Sequence, residues 1–265
     1  MESFPFQLIV FGLLAALANV LGGLVLFQAG VKSRFQPAVR YFLAVGAGFM
    51  LAVTFFEIVP RTIIGWQTAH PESSELYVPM VLLLAGYLLT QFFEHTVAPH
   101  FHLAEEVTSE TVITSAAAYG GIAGFLIHTF FDGVSIAAAT QIDAKVGLLV
   151  AVAVVIHKFP EGFTIGSLFL AAGKGNRDVL KATSMLGATT LLGIAVFALL
   201  GNWVGLSVVY ALPLASGVTL YVAASDLIPE INHHGGRRPL ISLALFAGVA
   251  LFFGLHLLVS RIGGD

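Results

Sequence analysis

The sequence predicts an all-α integral membrane protein that crosses the bilayer eight times. Of its 265 residues, 57% are hydrophobic and only 10% are charged, whereas about a quarter of the residues in soluble domains are charged. So few charged side chains cannot cover a soluble surface, and the composition therefore excludes a soluble enzyme and a disordered chain. We expect a single transmembrane domain over residues 1–265.

Eight apolar stretches are long enough for a spanning helix, which needs about 20 residues. In chain order they cover residues 6–29, 38–60, 77–98, 116–140, 145–171, 182–202, 205–229 and 240–261. The first stretch follows no basic segment and is too long for a signal peptide, so we expect it to be retained as span 1. Spans 2, 4, 5 and 7 also carry ionisable side chains, which are costly in a bilayer and usually functional.

The basic residues are distributed unevenly between the two sides of the membrane. The loops after spans 1, 3, 5 and 7 hold Lys32, Arg34, Arg40, Lys174, Arg177, Lys181, Arg237 and Arg238, and the opposite side holds Arg61, Lys145 and Arg261. Because cytoplasmic loops are enriched in Lys and Arg, we expect both termini outside the cytoplasm. The net charge of −3 leaves no basic surface for nucleic acid, and the absence of cysteine excludes disulfides and thiolate ligands.

Two internal repeats link the spans with ionisable residues. IHTFFDGVSI from Ile127 in span 4 matches IHKFPEGFTI from Ile156 in span 5, at a separation of 29 residues. The segment from Glu57 to Pro60 in span 2 similarly resembles the segment from Asp226 to Pro229 in span 7. Duplicated halves around a central site are common in transporters, although enzymes and channels can also be duplicated.

Spans 4 and 5 each present a histidine and a carboxylate on one helix face. His128 and Asp132 are four residues apart, and so are His157 and Glu161. If these faces pack together, two imidazoles and two carboxylates share one small volume. Such a set suits a divalent first-row cation, and Zn²⁺ is natural for nitrogen and oxygen ligands.

Other polar residues of the spans have less certain roles, and for each a structural alternative stays open. Glu57, Asp226 and Glu230 are candidate gate or relay carboxylates. Lys158 is expected either to pair with a nearby acid, in place of a second cation, or to snorkel near a helix end. The thioether of Met50 is a candidate soft ligand, although a methionine in a span more often packs.

Three prolines near the polar residues of the spans, and the remaining histidines, also have candidate roles. Pro60, Pro160 and Pro229 each follow a polar residue by three positions and are expected either to free a backbone carbonyl or only to kink the helix. The loop histidines His95, His100, His102, His233 and His234 are candidates for loose metal capture, or belong to solvated loops. His256 in span 8 is expected to be hydrogen-bonded packing.

These motifs resemble the ZIP (Zrt-, Irt-like) family of divalent-metal transporters, and the short loops look like those of bacterial members. The matching segments are HTFFDG in span 4, HKFPEG in span 5, FFEIVP in span 2 and SDLIPE in span 7. The resemblance implies a 3+2+3 arrangement, with spans 1–3 and 6–8 as inverted repeats around spans 4 and 5. It also implies a metal site at His128, Asp132, His157, Glu161 and Met50, and uptake into the cytoplasm by an elevator-like movement.

Three positions depart from the family pattern. Many members have Asn where this chain has Thr129, many bacterial members have Glu where it has Thr190, and members with two adjacent metals carry Asp, Glu or Asn where it has Lys158. Each change removes a ligand of the second metal. The resemblance therefore implies a single metal, with Lys158 replacing the second charge.

The sequence thus predicts a Zn²⁺-preferring transporter in the plasma membrane, the inner membrane of a bacterium. It has no GxxxxGK[ST] loop for ATP. Cd²⁺, Fe²⁺, Mn²⁺ and Co²⁺ stay open as substrates, as do proton coupling and a homodimer. The alternatives are an intramembrane zinc metallohydrolase, for which the HExxH signature is missing, and a metal-selective channel, whose flux would not saturate.

Overall fold

A computed structural model describes residues 3–27, 31–72, 75–96, 115–203, 207–229, 231 and 239–262. The regular structure in these ranges is entirely helical, and eight of the helices are long and apolar enough to cross a membrane. The prediction of an all-α membrane protein with eight spans is therefore confirmed. The 3+2+3 arrangement stays a prediction.

Within the described residues, nine α-helices and two π-helical segments form the spans. The helices are α1 (Ser3–Leu24), α2 (Val31–Val53), α3 (Val59–Ala69), α4 (Tyr77–Thr96), α5 (Ser115–Ile142), α6 (Ala144–Ala171), α7 (Asn176–Trp203), α8 (Val208–Tyr221) and α9 (Pro239–Ile262), and a short 3₁₀ turn (Val25–Phe27) follows α1. Span 2 consists of α2, a π segment (Thr54–Ile58) and α3. Span 7 consists of α8 and a second π segment (Val222–Leu227).

The end predicted for span 2 at residue 60 is wrong, because the helical path continues through α3 to Ala69. The π segment makes this continuation possible. At its end, the amide of Val59 donates to the carbonyl of Thr54, five residues back, and Pro60 then lies in the first turn of α3. A proline is well tolerated there, since the first-turn amides of a helix have no partner within it. Span 6 likewise begins at Asn176, six residues before its predicted start at 182.

The tight connection between α5 and α6 is set by Asp143. Its side chain accepts hydrogen bonds from the amides of Lys145 at 2.7 Å and Val146 at 3.4 Å and so caps α6. An aspartate at this position accepts hydrogen bonds from first-turn amides, and its negative charge interacts favourably with the positive end of the helix dipole. The two helices that carry the paired motifs therefore form an antiparallel hairpin joined by a single residue outside the helices.

Glycines bring four helix pairs into backbone contact. The reciprocal pairs are Gly22 with Gly162 (α1 and α6), Gly133 with Gly193 (α5 and α7), Gly48 with Gly248 (α2 and α9), and Gly86 with Gly217 (α4 and α8). At each position a Cβ atom would overlap a backbone carbonyl of the facing helix. Small residues of this kind allow close helix packing in a bilayer, where no hydrophobic effect drives the helices together.

Burial separates central spans from peripheral ones. Within span 5 (Ala144–Leu170), 72% of an 18-residue apolar stretch is buried, whereas within span 8 (Pro239–Arg261) only 17% of such a stretch is buried. Large apolar side chains such as Phe246 and Leu257 are exposed on the peripheral helix. An apolar exterior around a core that holds polar side chains is the arrangement expected in lipid.

Candidate metal centre

The hairpin of α5 and α6 places six polar side chains in one buried cluster. α5 contributes His128, Thr129 and Asp132, and α6 contributes His157, Lys158 and Glu161; none is more than 4% exposed. The spacing of four residues puts the histidine and the carboxylate of each helix on one face, as the sequence predicted. The turn at Asp143 then sets these two faces opposite each other.

Each imidazole lies against the carboxylate of the other helix. His128 Nε2 is 3.3 Å from Glu161 Oε2, and His157 Nε2 is 3.2 Å from Asp132 Oδ2. His157 Nδ1 is also 2.9 Å from the carbonyl oxygen of Ala153. When that nitrogen donates to Ala153 in the neutral ring, the Nε2 lone pair is left free to bind a cation placed between His157 and Asp132.

Three of these residues have donor atoms close enough to share one ion. Donor atoms of His128, Asp132 and Glu161 lie within 4.8 Å of one another, and this is the one such group in the described part of the chain. His157 reaches the same volume through its contact with Asp132. Within the described ranges, the buried atoms His128 Nδ1 and Asp132 Oδ1 have no hydrogen-bond partner. These two atoms are therefore available to bind a cation.

Lys158 lies between the two carboxylates. Its Nζ is 2.6 Å from Glu161 Oε2, 2.9 Å from Asp132 Oδ2 and 2.9 Å from Thr129 Oγ1, and the side chain is fully buried. The lysine thus pairs with acids of the cluster and does not snorkel to a helix end. A buried carboxylate needs such a partner, because an uncompensated charge in a dry interior is strongly destabilising.

Thr129 joins this network, whereas Thr190 does not. The hydroxyl of Thr129 donates to Glu161 Oε1 at 3.0 Å and accepts from Lys158. The hydroxyl of Thr190 donates to the carbonyl of Leu186 on its own helix at 3.4 Å, although the backbone of Thr190 packs against Gly133 beside Asp132.

Met50 is fully buried one turn beyond the point where α2 meets the cluster. Gly46, four residues earlier, faces His157, because a Cβ atom added to Gly46 would lie 3.5 Å from the Cβ atom of His157. Met50 itself packs in an apolar cluster that includes Ala153 and Val154. Its role as a ligand stays a prediction.

Asn19 on α1 is a member of the cluster that the sequence motifs did not predict. This side chain is fully buried, and its Nδ2 donates to Glu161 Oε1 over 3.5 Å. The signal that would have found it is an amide residue within an apolar span, because a buried polar group in a bilayer needs a partner.

Glu57 lies in a separate cluster between spans 2 and 8. Its Oε1 is 3.4 Å from Arg61 Nε and its Oε2 is 3.2 Å from His256 Nδ1. His256 thus lies within ion-pair distance of Glu57, and its role as hydrogen-bonded packing stays a prediction. The π segment that holds Glu57 widens the helix immediately before Pro60, and such segments often occur at functional sites.

Asp226 lies in the matching π segment of span 7, where it is partly buried near Tyr221. Tyr221 donates a hydrogen bond to Glu94 on α4 and lies near Asp226. Tyr87 is hydrogen-bonded to Ser225 and packs edge-on against Tyr221 at 5.1 Å. Spans 3 and 7 therefore share a second polar cluster, distinct from the one around Glu57.

Of the candidate loop ligands, His95 lies within the described residues. His95 is exposed at the end of α4, with Nδ1 3.1 Å from the carbonyl oxygen of Gln91. His100, His102, Glu230, His233 and His234 lie outside the described residues.

Comparison with known proteins relates the chain to metal transporters. The family profile described as ZIP Zinc transporter matches residues 102–256, more than half of the chain. The chain is 30% identical over 171 residues to human zinc transporter ZIP6, covering 61% of this chain and 22% of the relative. It is 27% identical over 146 residues to the metal cation symporter ZIP8 of Mus musculus, covering 52% and 31%. It is also 27% identical over 167 residues to zinc transporter ZIP9 of Micropogonias undulatus, covering 58% and 52%. The aligned part thus spans about a fifth to a half of these relatives.

Proposed function

Because this chain belongs to the ZIP family, we propose that it transports a divalent metal cation, preferentially Zn²⁺, across a membrane into the cytoplasm. The observation that carries the proposal is the buried group formed by His128, Asp132 and Glu161 between the two central spans. Ionisable side chains at this depth are costly, and their usual purpose is an ion pathway.

The chemistry of the donors favours a borderline first-row dication. Imidazole nitrogen and carboxylate oxygen suit Zn²⁺, whose coordination in proteins is usually fourfold. His128, His157, Asp132 and Glu161 supply this number, with Met50 as a further soft donor. Fe²⁺, Mn²⁺, Co²⁺ and Cd²⁺ remain competing substrates, because affinity order alone does not set selectivity.

The charge of the cluster supports binding of one ion at a time. With neutral imidazoles, two carboxylates and one ammonium leave a net charge of about −1. A dication is therefore attracted, whereas a second one would meet Lys158 in contact with both carboxylates. The ammonium occupies the space that a second ion would need.

The packing supports an elevator-like movement of one helix group. Helices α1, α5, α6 and α7 pack together, mainly as α1 with α6 and α7 and α5 with α6 and α7, whereas α2 packs mainly with α9, and α4 with α8. The two groups meet where α5 contacts α8 and α6 contacts α2. The two histidines and two carboxylates of the metal centre lie on α5 and α6 in the first group, whereas the further donor Met50 lies on α2. In the proposed cycle, this group carries the ion past the two peripheral pairs, and the halves act as inverted repeats with both termini outside the cytoplasm.

Glu57 and Asp226 are proposed gate or relay carboxylates along the path. They lie in separate π segments that each precede a proline, away from the central donor group. A carboxylate beside a widened helical turn can exchange partners as the helices move. Glu57 has such partners in Arg61 and His256.

The proposal is tested by metal uptake into proteoliposomes that contain the purified full chain. We expect saturable Zn²⁺ uptake, which His128→Ala and Glu161→Ala each abolish. His70→Ala is the matched control, because His70 packs on Trp66 outside the cluster and should retain uptake. Wild-type flux in His128→Ala or Glu161→Ala would refute the site, and flux that rises without saturation would indicate a channel.

A further inference from the structure

Asn19 brings a third helix to the metal centre. Its amide nitrogen already contacts Glu161, whereas its Oδ1 is buried and has no hydrogen-bond partner among the described residues. A buried amide oxygen costs free energy unless it accepts a hydrogen bond or binds a cation. The unpartnered oxygen therefore belongs to a side chain that is directed at a carboxylate of the donor group.

The backbone fixes Asn19 in this position. A Cβ atom on Gly162 would overlap the carbonyl oxygen of Asn19, and one on Gly22 would overlap the carbonyl oxygen of Phe159. Since α1 and α6 touch on both sides of this crossing, the backbone of Asn19 cannot move away from Glu161 without separating the helices. A metal ligand needs this kind of rigid support.

The crossing of α5 and α7 repeats the geometry but lacks the amide. There, a Cβ on Gly133 would overlap the carbonyl oxygen of Thr190, just as one on Gly162 would overlap that of Asn19. Asn19 and Thr190 therefore occupy equivalent places beside Glu161 and Asp132. Thr190 turns its hydroxyl to its own helix, and Asp132 Oδ1 is left without a partner among the described residues. The donor set is thus extended only on the Glu161 side.

We propose that Asn19 is a ligand of the transported cation and supplies its amide oxygen from α1. Without an ion, Nδ2 donates to Glu161. A half-turn about the terminal side-chain torsion, which is broad and roughly twofold for asparagine, exchanges nitrogen and oxygen. The amide then offers a neutral oxygen to a dication held by Glu161, His128 and Asp132. This inference rests on the proposed metal transport.

A single cysteine tests the assignment directly. The natural chain contains no cysteine, so in Asn19→Cys a thiolate-to-Cd²⁺ charge-transfer absorption can arise only from position 19. We expect this absorption when Cd²⁺ is added to the purified full-length variant, and its loss in Asn19→Cys combined with Glu161→Gln. Ala15→Cys is the matched control, because Ala15 is fully buried one turn earlier on α1 and should give no such absorption.

A second variant provides a test that does not depend on the folding of Asn19→Cys. Asn19→Leu keeps the branching at Cγ and removes the oxygen, and we expect Cd²⁺ and Zn²⁺ to bind about tenfold more weakly by titration calorimetry. Cd²⁺ bound to Asn19→Cys without thiolate absorption, or Asn19→Leu with an affinity within about twofold of wild type, would overturn the assignment and leave the central site intact. Wild-type Cd²⁺ affinity in His128→Ala would instead overturn the proposed site itself and Asn19's role with it.

Discussion

Lys158 Nζ lies 2.6 Å from Glu161 Oε2, three residues further along the same helix, with both side chains buried. The same ammonium lies 2.9 Å from Asp132 on the neighbouring helix. One cation of the protein thus joins the two helices that hold the candidate ligands, at the place where a metal ion would do the same.

Lys158→Met should destabilise the metal-free protein and strengthen metal binding. The substitution leaves two buried carboxylates without a counter-charge, a loss that typically costs about 3–5 kcal/mol. Added Zn²⁺ should restore most of the melting temperature, because the ion replaces the missing charge. Lys181→Met is the control, since Lys181 is exposed and its ion pair with Asp178 is long. Equal melting curves for wild type and Lys158→Met without metal would contradict this expectation.

Lys158→Asp should change the number of ions bound. An aspartate removes the ammonium and adds a third carboxylate beside Asp132 and Glu161, so the cluster gains both space and negative charge. We expect two Zn²⁺ per chain by elemental analysis of the purified variant, against one in wild type. Two ions already bound at the cluster in wild type would show that the ammonium does not exclude the second.

Glu57→Gln and Asp226→Asn should slow uptake and leave metal affinity nearly unchanged. Both carboxylates lie outside the central donor group, so their loss should affect passage along the path more than binding. The measurement pairs Zn²⁺ flux in proteoliposomes with calorimetric affinity in detergent, and Glu72→Gln at an exposed position is the control. If flux and affinity fall in parallel, these residues belong to the binding site.

Gly162→Ala should weaken the packing of α1 on α6. The added methyl group would overlap the backbone of Asn19, and overpacking of this kind typically costs about 1–3 kcal/mol. Gly65→Ala is the matched control, because nothing lies within 4 Å of a Cβ at Gly65 and alanine favours a helix. We expect a lower melting temperature for the first variant and an unchanged or higher one for the second. An unaltered Gly162→Ala protein would show that the crossing can relax.

Local sequence pattern predicted the spans and the shared faces of the central motifs. The spacing from His128 to Asp132, and from His157 to Glu161, needs only helix periodicity to be interpreted, and the eight spans need only length and apolarity. The pairing of each imidazole with the opposite carboxylate follows once the two helices form a hairpin.

Contacts between distant helices were beyond this kind of prediction. Asn19 reaches Glu161 across 142 positions of the chain because α1 crosses α6 at Gly22 and Gly162. The partnership of Glu57 with His256 similarly depends on how α9 packs along span 2. Span 2 continues past Pro60 because a π turn, which the local sequence pattern does not indicate, places the proline in the first turn of α3.

The buried Lys158 also affects the step of the proposed transport cycle in which the carrier returns without a metal ion. A binding pocket with two naked carboxylates would face a steep electrostatic barrier on its way back through hydrocarbon. The tethered ammonium of Lys158 forms ion pairs with both carboxylates, so the empty pocket keeps only one uncompensated negative charge. In the proposed transport cycle, the empty carrier would therefore return without binding a counter-ion from either compartment.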